Sequence, residues 1–392
     1  MWTFFKILNF AWLLTSTWLW VTTYVPMLMW LFLVNVLMVF CLSMLPVKIE
    51  FTRRTGWVMM AILLLTLWHS YCSGYVIGIY TMLCYLPALY LIMLPTDYLR
   101  GLLKFSTKWY AVMLIPALIL YWVLAFRPLP SFGKFVHPVY VPFDNYIFYI
   151  KSTWDNGIFP RFNAFLLEPG HQALLSTFLL IANRFRFKEC KWLIILAAGV
   201  IFSFSLAGYL LSFLGFIFLK VDSVKKGALV VLLTAAFILG AKTYLGDDSS
   251  LNKLILERLE RDESQGIKGN NRFSGNTDFV FERSLKSSDV WVGVSDKVNM
   301  ELITGAGYKI FIIQYGLIGA ILSLMLYITL IPADPDYRYT ISFLVILMMC
   351  FMQRSYPSWY SWLFPFICGI HIAKDDKLKS ETPTPENMAA IS

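Results

Sequence analysis

Apolar stretches long enough to cross about 30 Å of hydrocarbon, roughly 20 residues each, recur along most of this 392-residue chain. Little else is compatible with such a pattern. Hydrophobic residues make up 58% of the sequence and charged residues only 15%, which leaves no room for a soluble domain of ordinary size. The reading is an all-α integral membrane protein. A net charge of +9 could point to nucleic acid. In a polytopic protein, however, positive charge gathers in cytoplasmic loops and sets orientation, so no nucleic-acid partner is expected. The six cysteines (Cys41, Cys72, Cys84, Cys190, Cys350, Cys368) fall in apolar spans or short basic loops without metal-ligand spacing. They read as small buried residues, neither disulfide nor zinc site.

Basic loops orient the spans. Met1–Thr22 and Tyr24–Leu45 lead to Lys48, Arg53 and Arg54. Trp57–Tyr71 and Tyr75–Leu94 return the chain to a second basic loop with Arg100, Lys104 and Lys108, and Trp109–Phe126 exits. Residues 1–126 thus form an N-terminal group of membrane helices. A polar, Pro-rich outer loop occupies 127–168. Pro169–Asn183 re-enters and ends at Arg184, Arg186, Lys188 and Lys191, the clearest inside loop.

Trp192–Leu219 lies between that loop and Lys220, Lys225 and Lys226. Both ends belong on one side, so the chain crosses an even number of times, yet the stretch is too short for two spans of about 20 residues. A re-entrant pair of half-helices breaking at Ser203-Phe204-Ser205-Leu206-Ala207-Gly208-Tyr209 resolves the conflict; the alternative is one long tilted helix. Irregular backbone at that depth persists only beside protein or a water-filled cavity, so the break predicts a polar cavity in the outer half of the membrane.

Gly227–Tyr244 crosses outward to a large outer loop, 244–305. Ala306–Leu330 returns, with a packing point at Tyr315-Gly316-Leu317-Ile318-Gly319. Tyr339–Met352 and Trp359–Ile372 complete the C-terminal group, 306–373. The tail from Lys374 reads as cytoplasmic and without fixed structure. The total is about 12 hydrophobic passes with both termini inside. Its weak point is Ile331–Arg338, where Asp334 and Asp336 oppose one arginine.

Within the outer loop, Leu251–Arg261 has helical periodicity, with Leu251, Leu254, Ile255 and Leu259 on one face, so the outer loop is expected to be partly helical. Arg258 and Arg261 lie on the other side, and Arg272 and Arg283 follow. One such arginine is an ordinary solvated residue. Four of them, facing a cavity that also offers Arg161, could bind diphosphate through bidentate contacts. Arg161 leads into Phe162-Asn163-Ala164-Phe165-Leu166-Leu167-Glu168-Pro169-Gly170-His171-Gln172. Proline is favoured at the first helical position, which makes Glu168 the N-cap and puts His171 in the first turn. Free N–H groups and the macrodipole attract anions there. Glu168 reads as a cap and His171 as an interfacial ring; together they could also supply a general base for a sugar hydroxyl. His69, His137 and His371 are scattered and carry no assigned role.

Taken in order, the Arg161…Glu168-Pro169-Gly170 stretch, the Ser203–Tyr209 break, the large outer loop and the Tyr315–Gly319 helix resemble the bacterial O-antigen polymerases. That family is grouped with the O-antigen ligases and other lipid-linked glycan polymerases. The spacing from Arg258 to Gly269 is similar too, and the resemblance covers roughly Phe159–Ala320. Ligases of the group carry a histidine late in the outer loop; this loop has none, which favours polymerase. The resemblance implies a metal-independent glycosyltransferase with no cofactor. Its donor and acceptor would be oligosaccharides on undecaprenyl diphosphate at the periplasmic face of the inner membrane. A chain-length regulator and a flippase would be partners. Glu168, His171 and Arg161 are the expected catalytic residues, with Arg258, Arg261, Arg272, Arg283, Tyr209 and Ser205 on substrate. Ligase and flippase or transporter remain the alternatives.

Overall fold

A computed structural model describes residues 1–15, 19–47, 49, 51–136, 142–152, 160–221, 225, 232, 261–262, 266–267 and 275–381. Among these the chain is mostly helical. Helices α1 (Trp2–Thr15), α2 (Leu19–Tyr24), α3 (Met27–Ser43), α4 (Arg53–Ser73), α5 (Tyr75–Ile92) and α6 (Thr96–Phe126) come first. Three short antiparallel strands follow, β1 (Lys134–Phe135), β2 (Phe143–Asn145) and β3 (Ile150–Ser152), in the order β1-β2-β3. Then come α7 (Pro169–Ala182), α8 (Trp192–Phe202), α9 (Leu206–Lys220), β4 (Arg261–Asp262) and β5 (Gly266–Ile267). The chain continues through α10 (Gly275–Leu285), α11 (Asp289–Val292), α12 (Gly307–Thr329), α13 (Tyr337–Gln353) and α14 (Tyr360–Glu381).

Four of these helices, α4, α5, α6 and α12, are long and apolar enough to cross a membrane, and α3, α8, α9 and α13 are apolar but shorter. Outward faces are apolar as well. Phe32, Val36 and Phe40 on α3, and Met60, Leu63 and Leu67 on α4, are all exposed. A contiguous belt of this kind suits hydrocarbon and not water. Helix α7 is the opposite case, with every residue from Gly170 to Ala182 buried. A helix buried on all sides belongs at the centre of a bundle; α7 packs against α8, α9 and α14.

Charged side chains tie one end of the bundle together. Asp376 meets Arg100 at 2.8 Å, Arg186 at 3.1 Å and Arg184 at 3.6 Å, and Asp336 meets Arg184 at 3.3 Å. Asp336 also caps α13 by accepting from the Tyr339 amide at 3.1 Å. This explains the acidic residue that fits charge counting poorly: Asp336 neutralises an arginine of the neighbouring basic loop. Two residues on, Arg338 donates to the carbonyls of Phe218 and Val221 at the end of α9. The α8–α9 segment therefore starts and ends at the same end of the bundle, and its break lies at the tip between the two.

Several sequence expectations need correction. Arg100, Lys104 and Lys108 lie within α6 and not in a loop, because Leu99, Leu102, Leu103, Ser106 and Tyr110 are buried at helical spacing and carry the helix back to Thr96. The stretch from Lys374 is helical as far as Glu381, where Asp375 and Asp376 anchor it to Arg100. Arg261 lies in a strand paired with Ile267, so the helix expected over Leu251–Arg261 does not reach it; Leu251–Glu260 and the Gly227–Tyr244 span lie outside the described residues, apart from Leu232. The loop at 127–168 contains the small sheet. The run at 306–330 is interrupted at Gly316, where φ is 64° and ψ −177°. Only glycine adopts that backbone readily.

The interruption divides α12 into two limbs. Gly316 abuts the backbone of Trp291 and Val292, and the Trp68 indole donates to the Tyr315 carbonyl at 2.8 Å, satisfying a group the break would otherwise leave open. From there the second limb runs back along α4 to Arg54, which donates to the Thr329 and Leu330 carbonyls at its end. Residues of both limbs, among them Phe311 and Leu324, line a single cavity of about 260 Å³.

Candidate functional site

Three helix starts meet around one arginine. Glu168 is the N-cap of α7, with extended backbone (φ −140°, ψ 148°) and Pro169 next to it. Its carbonyl accepts from the His171 and Gln172 amides at 3.0 and 3.3 Å. The carboxylate does not cap the helix. It reaches Arg354, at the C-terminus of α13, in an ion pair of 2.5 Å between Oε2 and Nη2. The arginine side chain is 8% exposed and the glutamate 25%. Once a charge is buried to this degree, removing its partner is costly, so each holds the other in place.

The local sequence makes room for the guanidinium. A Cβ on Gly170 would lie 2.6 Å from Arg354 Nη2 and 3.8 Å from Ser205 Oγ. Glycine at this position allows Arg354 to lie against the first turn of α7. Gly307, at the start of α12, is in an equivalent position on the other side, where a Cβ would meet the Arg354 backbone nitrogen at 2.5 Å. The third helix start is the break itself. Ser205 caps α9 by accepting from the Gly208 amide at 3.3 Å, and its own amide donates to Ser203 Oγ at 3.2 Å. Gly208 packs α9 on α7, since a Cβ there would be 2.5 Å from that of Ala173. The starts of α7 and α9 thus lie together beside the guanidinium, where the positive ends of their macrodipoles favour negative charge, while the start of α12 abuts the C-terminal end of α13 at the Arg354 backbone.

Other expected residues surround this centre. The Phe162 amide donates to the Phe202 carbonyl at 3.0 Å, which lays the segment bearing Arg161 along the broken end of α8. The Arg161 charge acts there on the Tyr209 hydroxyl, which itself donates to the Ile201 carbonyl across the break. His171 is buried, 1% exposed, with its ring edge-on to Trp359 at 4.9 Å. Trp359 in turn stacks on Tyr356 at 4.4 Å. The imidazole is therefore part of an aromatic wall beside the Glu168 carboxylate.

The outer-loop arginines are less concentrated. Arg258 and Arg272 lie outside the described residues, and Arg261 is placed only as backbone in β4. Arg283 is exposed on the last turn of α10, where its charge acts on Asp289. Asp289 pairs with Lys297 at 2.7 Å, and this contact, ahead of Arg283, holds its carboxyl below the usual range. Helix α10 is itself fixed to the entry of α12: the Thr277 hydroxyl accepts from the Thr304 amide at 3.0 Å, and Lys309 pairs with Asp278.

Arg354 is the residue that sequence reasoning missed. Its signal is present, in Gln353-Arg354-Ser355-Tyr356-Pro357 between two apolar spans, on the face that span counting assigns to Glu168. Among the described residues no group of three His, Cys, Asp or Glu side chains could hold a metal ion. The arrangement has a carboxylate held by an arginine, donor-rich helix starts and an aromatic wall. Chemically, it can bind an anion and take up a proton. Comparison of the chain with protein-family models, with curated proteins and with solved structures found no match.

Proposed function

We propose that this chain is a surface-polysaccharide polymerase of the O-antigen type. It would join oligosaccharide repeat units carried on undecaprenyl diphosphate, at the periplasmic face of the bacterial inner membrane. The observation that carries the reading is the Glu168–Arg354 pair beside the starts of α7 and α9. A glycosyl transfer from a lipid diphosphate needs a proton acceptor for the attacking hydroxyl and positive charge for the leaving group. Both lie within one side-chain contact of each other here.

In this reaction a hydroxyl oxygen of the acceptor repeat attacks the anomeric carbon of the donor glycan. The new glycosidic bond forms as the bond from that carbon to the diphosphate oxygen breaks, and the diphosphate leaves with the electron pair. The hydroxyl proton passes to Glu168. Arg354 and the helix starts stabilise the departing charge, and Arg161 positions substrate beside the break. Depth fits a lipid-linked substrate. Helix α7 has 14 residues, a rise of about 21 Å, against about 30 Å of hydrocarbon. With Arg184 at one boundary, Glu168 would sit below the other, within reach of a lipid-linked diphosphate.

The glycan profile of cells lacking the chain tests the proposal. Single repeats on the lipid anchor support polymerase. Loss of all surface glycan would indicate a flippase, and full-length polymer retained on undecaprenyl diphosphate would indicate a ligase.

A further inference from the structure

A second cavity, of about 510 Å³, opens at the end of the bundle that carries the Arg100–Asp376 pair. Trp2 on α1, Leu45 and Pro46 beyond α3, and Asp97 and Tyr98 on α6 line it. Helices α1 and α6 run side by side in one direction, since Trp2 meets Tyr98 at 4.7 Å and Phe10 meets Phe105 at 6.4 Å. The indole is held in place. A Cβ on Gly101 would lie 3.3 Å from Trp2 Cζ2, so glycine at that position seats the ring against α6. Lys6 Nζ lies 5.5 Å from the centre of the same ring, one turn further along α1. Exposed apolar side chains flank the groove, Phe4 and Ile7 on α1 and Phe40 and Met44 around the end of α3. It therefore sits at the rim of the hydrocarbon belt, where tryptophan and tyrosine are favoured. We propose that this groove binds the head group of an aminophospholipid, with the ammonium on Asp97 and the phosphate beside Lys6.

The order of charges along the helices narrows the occupant. Asp97 is in the first turn of α6 and is exposed. Lys379, whose charge acts on it, is itself bonded to Asp375 at 2.8 Å. Lys6 is four residues beyond Trp2, a rise of about 6 Å, so the negative group is outermost and the positive one deeper. An aminophospholipid has the complementary order: ammonium outermost, phosphate next, then acyl chains, which here would lie along Phe4 and Ile7. An anionic lipid brings Asp97 no positive charge and is repelled by it. A choline head group has charge but no N–H, and only two aromatic rings line the groove to receive it. A primary ammonium donates charge-assisted hydrogen bonds to the carboxylate. An acid in the first turn also complements the α6 dipole. That accounts for Asp97 by itself, but not for an open groove with a fixed indole beside it. The volume is within the 300–1,000 Å³ or so of small-molecule pockets. Neither Glu168 nor Arg354 takes part, so the site stands apart from the polymerase reading.

The full chain, purified in detergent and stripped of lipid, is incubated with dioleoyl phosphatidylethanolamine, phosphatidylcholine or phosphatidylglycerol. Retained lipid is counted by native mass spectrometry. A phosphatidylethanolamine with a diazirine near the head group is then cross-linked to the unaltered chain and mapped by peptide mass spectrometry. The site predicts one saturable phosphatidylethanolamine, about tenfold weaker retention of the other two lipids, and cross-links at Trp2, Leu45, Pro46 or Tyr98. Asp97→Asn should weaken phosphatidylethanolamine binding about tenfold without weakening phosphatidylglycerol. Gly101→Val, which displaces the indole, should also weaken phosphatidylethanolamine. Equal retention of phosphatidylcholine or phosphatidylglycerol, cross-links confined to other helices, or undiminished binding by folded Asp97→Asn would overturn the proposal. The lipid ranking and the mapping need no variant, so a misfolded Gly101→Val does not blunt the test.

Discussion

Arg354 holds the carboxylate of Glu168 across 186 residues of sequence, and Gly170 is the residue that lets it approach. The contact joins the end of α13 to the start of α7. Several consequences of that contact can be measured.

Glu168→Gln keeps the size of the side chain and can still accept from Arg354, but it removes the base. The expected outcome is a protein that inserts and folds, with a glycan ladder that collapses to single repeats. General base catalysis of this kind typically contributes about 10²–10⁴-fold, so a purified assay should show a loss in that range. His171→Ala should be milder if the ring only orients the carboxylate. Wild-type polymer from Glu168→Gln would reduce Glu168 to a helix start.

Arginine and lysine carry the same charge but differ in fork geometry. Arg354→Lys should therefore keep the α7–α13 contact and lose most activity, whereas Arg354→Ala takes the guanidinium away from Glu168 and should lower stability, by up to about 3–5 kcal/mol. Single lysine variants of Arg258, Arg261, Arg272 and Arg283 are scored beside it. At least one should shorten the ladder; full polymer from all four would remove the outer loop from diphosphate binding.

Gly170→Ala puts a methyl group 2.6 Å from Nη2 of Arg354. The guanidinium can swing away more easily than a backbone can, so activity should fall more than stability. Gly208→Ala instead presses on Ala173 between two packed helices, at 2.5 Å. Overpacking of that kind costs roughly 1–3 kcal/mol, and here stability should fall first. Unfolding curves and glycan ladders for the two variants should rank them in opposite order.

Labelling from the two sides of the membrane checks the α8–α9 hairpin. Cysteines at Lys191 and Lys220 should react from the same side, and one at Tyr209 from neither or from the other. Labelling of Lys191 and Lys220 from opposite sides would mean a single tilted helix, contrary to the Arg338 and Asp336 contacts.

The break in α12 offers a test away from the site. A side chain at Gly316 must take φ 64° and would meet the Trp291 carbonyl. Gly316→Ala should lift α11 from its seat and release Cys72, whose thiol donates to the Val292 carbonyl at 3.3 Å. Faster reaction of Cys72 with a maleimide is the expected readout, and an unchanged rate would show that the loop tolerates the substitution.

Sequence alone carried what is local or statistical. Apolar length marked the helices, because hydrocarbon requires backbone groups to be paired within each segment. Charge bookkeeping over Trp192–Leu219 found a helical pair broken around Ser203–Tyr209, where the helices part at Ser203–Ser205, and Pro169 located the start of α7 to the residue. Tertiary structure decided what depends on partners far along the chain. Periodicity could not show that Glu168 turns from its own helix to Arg354, since the sequence around Arg354 puts it on the same face but does not say which group it meets. Nor could it show that Gly316 bends α12 and does not simply pack it, because the bend depends on Trp291 and Trp68 receiving the exposed backbone. Asp336 is the same case in reverse: it looked misplaced by charge counting until Arg184 was seen beside it. Segments report their own hydrophobicity and caps, but a buried charge is explained only by the group that folding brings to it.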